Sequence, residues 1–126
     1  MSEDEISKIV FESDLKVHRT LGPGLLESAY EACMFYELSK YNLKIEKQKC
    51  LPLIYEEVQL EAGYRIDLMI EDKFIVEIKS VEALNDVHLA QILTYLRLSH
   101  CKLGLLINFN VKLLKEGTKR VINGTL

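Results

Sequence analysis

Apolar residues recur at helical spacing at the start of the chain. Ile6, Ile9, Val10, Leu15 and Val17 form a stripe that predicts a helix from about Glu5 to Leu21, with Ser2 placed to cap it. Gly22-Pro23-Gly24 breaks the pattern, because glycine takes the left-handed cap conformation and proline cannot continue a helix. A second helix is predicted from about Leu25 to Lys40. Leu26, Tyr30, Cys33, Met34 and Leu38 share one side of it, and Glu31, Glu37, Ser39 and Lys40 lie mostly elsewhere. From Lys44 to Val58 the pattern alternates as in a strand, and Pro52, which cannot donate to a ladder, marks an edge or a bulge. A hairpin follows over Tyr64–Lys79, then a helix from about Val87 to Ser99 that Asn85 or Asp86 would cap. Lys102–Phe109 is a near-continuous apolar run, the pattern of a strand covered on both faces. The tail from Val111 to Leu126 reads as a helical turn plus a short strand. The main order, α-α-β-β-β-α-β, predicts an α/β fold in which a mixed sheet carries helices on both sides.

The hairpin departs from an ordinary apolar strand pair. It reads G-Y-R-I-D-L-M-I-E-D-K-F-I-V-E-I-K from Gly63 to Lys79, with Glu71, Asp72 and Lys73 as its loop. If Ile70 pairs with Phe74, counting back sets Asp67 directly against Glu77, and alternation puts Lys79 on the same face. The opposite face is then Ile66, Leu68 and Ile70 against Phe74, Val76 and Ile78. Carboxylates facing each other across a sheet repel, and a lysine on the diagonal offsets only part of that. A divalent cation would remove the conflict. The competing reading is a solvated charge cluster in which Arg65 and Lys79 neutralise both acids without a metal.

Composition narrows the class. The chain has 126 residues, enough for one domain with a real core, and at 48% hydrophobic and 28% charged it excludes a disordered or low-complexity protein. No apolar run is long enough to span a membrane, and the acidic start M-S-E-D-E-I lacks the layout of a signal peptide. Cys33, Cys50 and Cys101 have no zinc-ligand spacing, so free buried thiols in the cytoplasm are expected. A net charge of −3 argues against a general electrostatic grip on nucleic acid; such binding would need a local patch.

Asp67 followed by Glu77-Ile78-Lys79 on the next strand resembles the PD-(D/E)xK nuclease superfamily. Gln91-Ile92-Leu93-Thr94-Tyr95 looks like the Q-x-x-x-Y element of its RecB-like branch. Gly24-Leu25-Leu26-Glu27-Ser28-Ala29-Tyr30, preceded by Leu21-Gly22-Pro23, matches the signature of its GxxExxY family. The I-N-F at Ile107–Phe109 and the K-R-V-I-N at Lys119–Asn123 are similar to that family as well, so the resemblance covers almost the whole chain.

That resemblance implies one nuclease-like domain over residues 1–126, with a restriction-endonuclease-like mixed sheet flanked by helices on both faces. It implies hydrolysis of phosphodiester bonds in DNA or RNA with Mg²⁺ or Mn²⁺, hard cations suited to carboxylate oxygens. Asp67, Glu77 and the Ile78 carbonyl would be the metal ligands, joined by Glu27 from the N-terminal helices. Lys79 would position or deprotonate the attacking water and stabilise charge on the phosphate. Gln91, Tyr95 and Tyr30 would orient that water or contact substrate, with core packing the favoured reading for Tyr30. Nucleic acid is the implied partner; a targeting protein and a second copy of the chain also fit. The alternative is a module of this fold that binds nucleic acid or protein and cuts weakly or not at all.

Overall fold

Each helix starts where the sequence offers a cap or a break. The computed structural model describes the backbone of residues 1–126 and every side chain except those of 61 and 62. Helix α1 (Glu3–Leu21) opens on a reciprocal cap in which the Ser2 hydroxyl accepts from the Glu5 N–H at 3.1 Å and the Glu5 carboxylate accepts from the Ser2 N–H at 3.2 Å. Gly22 and Gly24, at φ +68° and +98°, then turn the chain into α2 (Glu27–Leu38). That helix starts two residues later than Leu25 because Leu26 acts as its N-cap, without a side-chain bond. Helix α3 (Asp86–Ser99) is capped by Asn85, which accepts from the His88 N–H at 3.0 Å.

One sheet joins these helices. Its strands are β1 (Ile45–Tyr55), β2 (Val58–Ile70), β3 (Phe74–Lys79), β4 (Leu103–Asn108) and β5 (Thr118–Ile122), in that spatial order. β3 and β4 run parallel with α3 as the crossover, and the other neighbours are antiparallel. The tail forms the expected pair, a short 3₁₀ turn at Leu114–Gly117 and then β5. β1 is an edge strand, and its register shifts between Leu51 and Leu53, around the proline that cannot donate. The β2–β3 loop places Ile70 opposite Phe74, and Glu71 and Asp72 both take positive φ, as the tight turn demands.

The core has two parts, one on each face of the sheet. Ile6, Val10, Tyr30, Met34 and Leu38 from α1 and α2 pack on Leu68, Ile70, Phe74, Val76 and Ile78. Ile92, Tyr95 and Leu96 of α3 pack on Met69, Ile75 and Leu106. Ile66 corrects the expected apolar face: it joins the α3 side together with Met69, so the strict alternation of β2 slips between Ile66 and Leu68. Asp67 lies at that slip. The cysteines need a correction too. All three are free, but only Cys101 is buried, while Cys50 is exposed on the edge strand.

Candidate active site

The β2–β3 ladder stops one step short of the two acids. Backbone pairing runs from Ile70–Phe74 to Leu68–Val76. At the next step the carboxylates take over the hydrogen bonds. The Glu77 Oε2 accepts from the Asp67 N–H at 2.8 Å, and the Asp67 Oδ2 accepts from the Ile78 N–H at 2.8 Å. Each acid is thus held by the backbone of the other strand, which pins both side chains where the strands part. Charge-assisted bonds of this kind are shorter and stronger than neutral ones.

Glu77 is 3% exposed. Burial, and then the charge of Asp67, pushes its pKa up from the ordinary 4.5 to about 8. Asp67 is raised as well, by burial, with the Ile78 N–H and the Gln48 amide pulling the other way. The half-buried Lys79 donates to the Gln91 Oε1 at 3.4 Å, and Tyr95 lies one helical turn after Gln91 on the same side of α3. Burial and then the charges of Glu77 and Asp67 raise the Tyr95 phenol, so that hydroxyl lies within the field of the acids. Lys79, Gln91 and Tyr95 therefore form one wall of the cluster.

Glu27 approaches from the first turn of α2. Its Oε2 accepts from the Ser80 N–H at 3.0 Å, just past the end of β3, and its charge is felt at Asp67. Arg65 does not compete for the acids. It is exposed, lines a surface pocket with Cys50, Pro52 and Gln59, and makes no ion pair with Asp67 among the described residues. The neutralised-cluster reading loses its arginine.

Tyr30 is not brought to the cluster and takes the core position that its ring favours. It is fully buried, stacks on Phe109 at 4.4 Å between centroids, donates to the Gly22 carbonyl at 2.6 Å and accepts from the Leu25 N–H at 3.2 Å. Both hydrogen-bonding roles of the hydroxyl go to the loop before α2, so it anchors scaffold and none of it faces the cluster. The I-N-F stretch is likewise scaffold: the Asn108 side chain bonds both the N–H and the carbonyl of Val81.

Two residues that no motif indicated lie at the cluster. The Gln48 amide on β1 donates to the Asp67 Oδ1 at 3.2 Å and also to the Glu31 Oε1 on α2. For Glu31 a signal existed, since it sits one helical turn after Glu27 and so on the same side of α2. For Gln48 it did not, because the irregular register at Pro52 hides which β1 residue meets Asp67.

A family model described as the PD-(D/E)XK nuclease superfamily matches residues 4–121. The chain belongs to that superfamily. The mixed sheet with helices on both faces agrees with its restriction-endonuclease-like fold. No curated protein and no solved structure matches the chain significantly. Nucleases of the superfamily generally use divalent metals. The donor set here fits such an ion in kind: burial pushes both carboxylate pKa values up, and the charge of Asp67 adds to the rise at Glu77, a conflict a divalent charge relieves. Among the described residues no group of three His, Cys, Asp or Glu side chains is placed to hold a metal. An ion between Asp67 and Glu77 would take its remaining ligands from backbone carbonyls, water or substrate.

Proposed function

We propose that this protein is a metal-dependent nuclease of the GxxExxY family that hydrolyses phosphodiester bonds in DNA or RNA with Mg²⁺ or Mn²⁺. The observation that carries the reading is the locked pair of Asp67 and Glu77, each accepting the other strand's backbone N–H at 2.8 Å, next to Lys79. A divalent cation bound there would activate a water at neutral pH and polarise the scissile phosphate. Asp67, Glu77 and the Ile78 carbonyl would hold that ion, with Glu27 alongside. The Lys79 ammonium would approach the phosphate oxygens and stabilise the charge that builds on them. Gln91 would steady Lys79 through their hydrogen bond, and Tyr95, one turn along the same side of α3, would orient the attacking water or contact substrate.

A second reading, a nuclease-fold module that binds without cutting, draws on the lack of a third converging ligand side chain among the described residues. One assay separates the two. Purified protein is incubated with single- and double-stranded DNA and RNA, with Mg²⁺, Mn²⁺ or EDTA, beside Asp67→Ala and Lys79→Ala. The nuclease reading expects cleavage that EDTA abolishes and that each substitution cuts by about 100-fold or more. Metal-dependent binding of nucleic acid with no turnover supports the module, and cleavage surviving both substitutions overturns the assignment of the site.

A further inference from the structure

Gln48 holds an uncommon backbone conformation opposite the slip of β2 at Asp67. It lies inside β1, yet its φ is +51°, in the left-handed region that a side chain other than glycine rarely enters. Its neighbours are Lys47 and Lys49, with no glycine or proline at the bend. The ladder on either side is in register, Lys47 with Leu68 and Lys49 with Ile66, so Gln48 sits opposite Asp67 between them. Strain of this kind persists only when the surroundings over-determine it, and it gathers at functional sites.

The bend delivers the amide to two acids at once. Its nitrogen donates to the Asp67 Oδ1 at 3.2 Å and to the Glu31 Oε1, and an amide NH₂ carries a hydrogen for each. The other Asp67 oxygen is already held by the Ile78 N–H at 2.8 Å, so the Asp67 carboxylate is fixed at both ends. Each of its oxygens keeps a further lone pair. A lysine at this position would supply a competing positive charge. The neutral amide orders the carboxylates and leaves their charge available.

We propose that Gln48 is a positioning residue: its amide holds Asp67 in the orientation that receives the divalent cation and brings Glu31 into the acidic site. This rests on the metal-dependent reading above. The test measures binding of Mn²⁺ alone by calorimetry, with melting curves, for wild type, Gln48→Gly and Gln48→Ala. Gln48→Gly removes the strain along with the amide, so its melting temperature should hold or rise while Mn²⁺ affinity falls about 10-fold or more. A merely structural residue would move both in the same direction. Wild-type affinity in both variants overturns the proposal and leaves the nuclease reading standing. If wild type itself binds no Mn²⁺, the metal-dependent reading falls. The side-chain carboxyl ¹³C shifts of Asp67 and Glu31 then decide: shifts unchanged in Gln48→Gly overturn the positioning role, and shifts that move support it.

Discussion

Asp14 and Glu77 are both buried acids, and their surroundings differ. Glu77 accepts a backbone N–H and lies near Lys79, whereas neither Asp14 carboxylate oxygen has a hydrogen-bond partner among the described residues. Asp14 is 0% exposed on the inner side of α1, and burial alone pushes its pKa well above the ordinary 3.8. A buried polar group left unpaired costs about 1–3 kcal/mol, and an apolar group of similar shape avoids that cost. Asp14→Val is therefore expected to stabilise the protein by roughly that amount. Urea unfolding at neutral pH measures it; a variant less stable than wild type would show that Asp14 has a partner or a role of its own. Tyr30 shows how one residue can carry both a site reading and a core reading. A tyrosine three residues after Glu27 reads as a site residue from spacing, but its ring is large and apolar enough to belong to the core once its hydroxyl finds Gly22 and Leu25.

Among elements, the β3–β4 pair matters most for the site, because β3 presents Glu77 and Lys79 and β4 backs it in parallel register. α3 crosses β4 closely at Gly104. A Cβ there would lie 2.8 Å from the Ile75 carbonyl oxygen and 3.2 Å from the Ile92 Cδ1, and Ile75 is two residues before Glu77. Gly104→Ala is expected to destabilise by about 1–3 kcal/mol through overpacking. Its urea midpoint should fall with the slope unchanged. An unshifted midpoint would mean that the β3 backbone at Ile75, as well as α3, gives way to the added methyl group.

The whole molecule carries a linkage between acidity, metal and stability. A carboxylate whose folded pKa is raised contributes stability that is complete below its unfolded pKa and lost as pH rises through the folded one. For Glu77 that window runs from 4.5 to about 8, and Asp67 and Asp14 are shifted in the same direction. Metal-free protein should therefore melt at progressively lower temperature across this range, and Glu77→Gln should flatten the decline. Adding Mn²⁺ should raise the melting temperature most at the alkaline end, where the carboxylates are already ionised. Melting curves with and without Mn²⁺ test this, and an identical pH profile in Glu77→Gln would remove Glu77 as the source.

The order of elements, the Ser2 and Asn85 caps, the break at Gly22-Pro23-Gly24 and the meeting of Asp67 with Glu77 all followed from sequence. They depend on neighbours a few residues apart, or on a hairpin whose turn sets its own register. Tertiary packing decided what joins that pair. Glu31 and Gln48 lie 17 residues apart, and Gln48 and Asp67 lie 19 apart. Their meeting depends on how α2 is rotated against the sheet and on how β1 recovers its register around Pro52. Periodicity reports neither, since it records which side of an element is apolar and says little about where a polar side chain at its margin reaches. The same limit explains Ile66, which crosses to the α3 face, and Arg65, which makes no ion pair with Asp67 among the described residues.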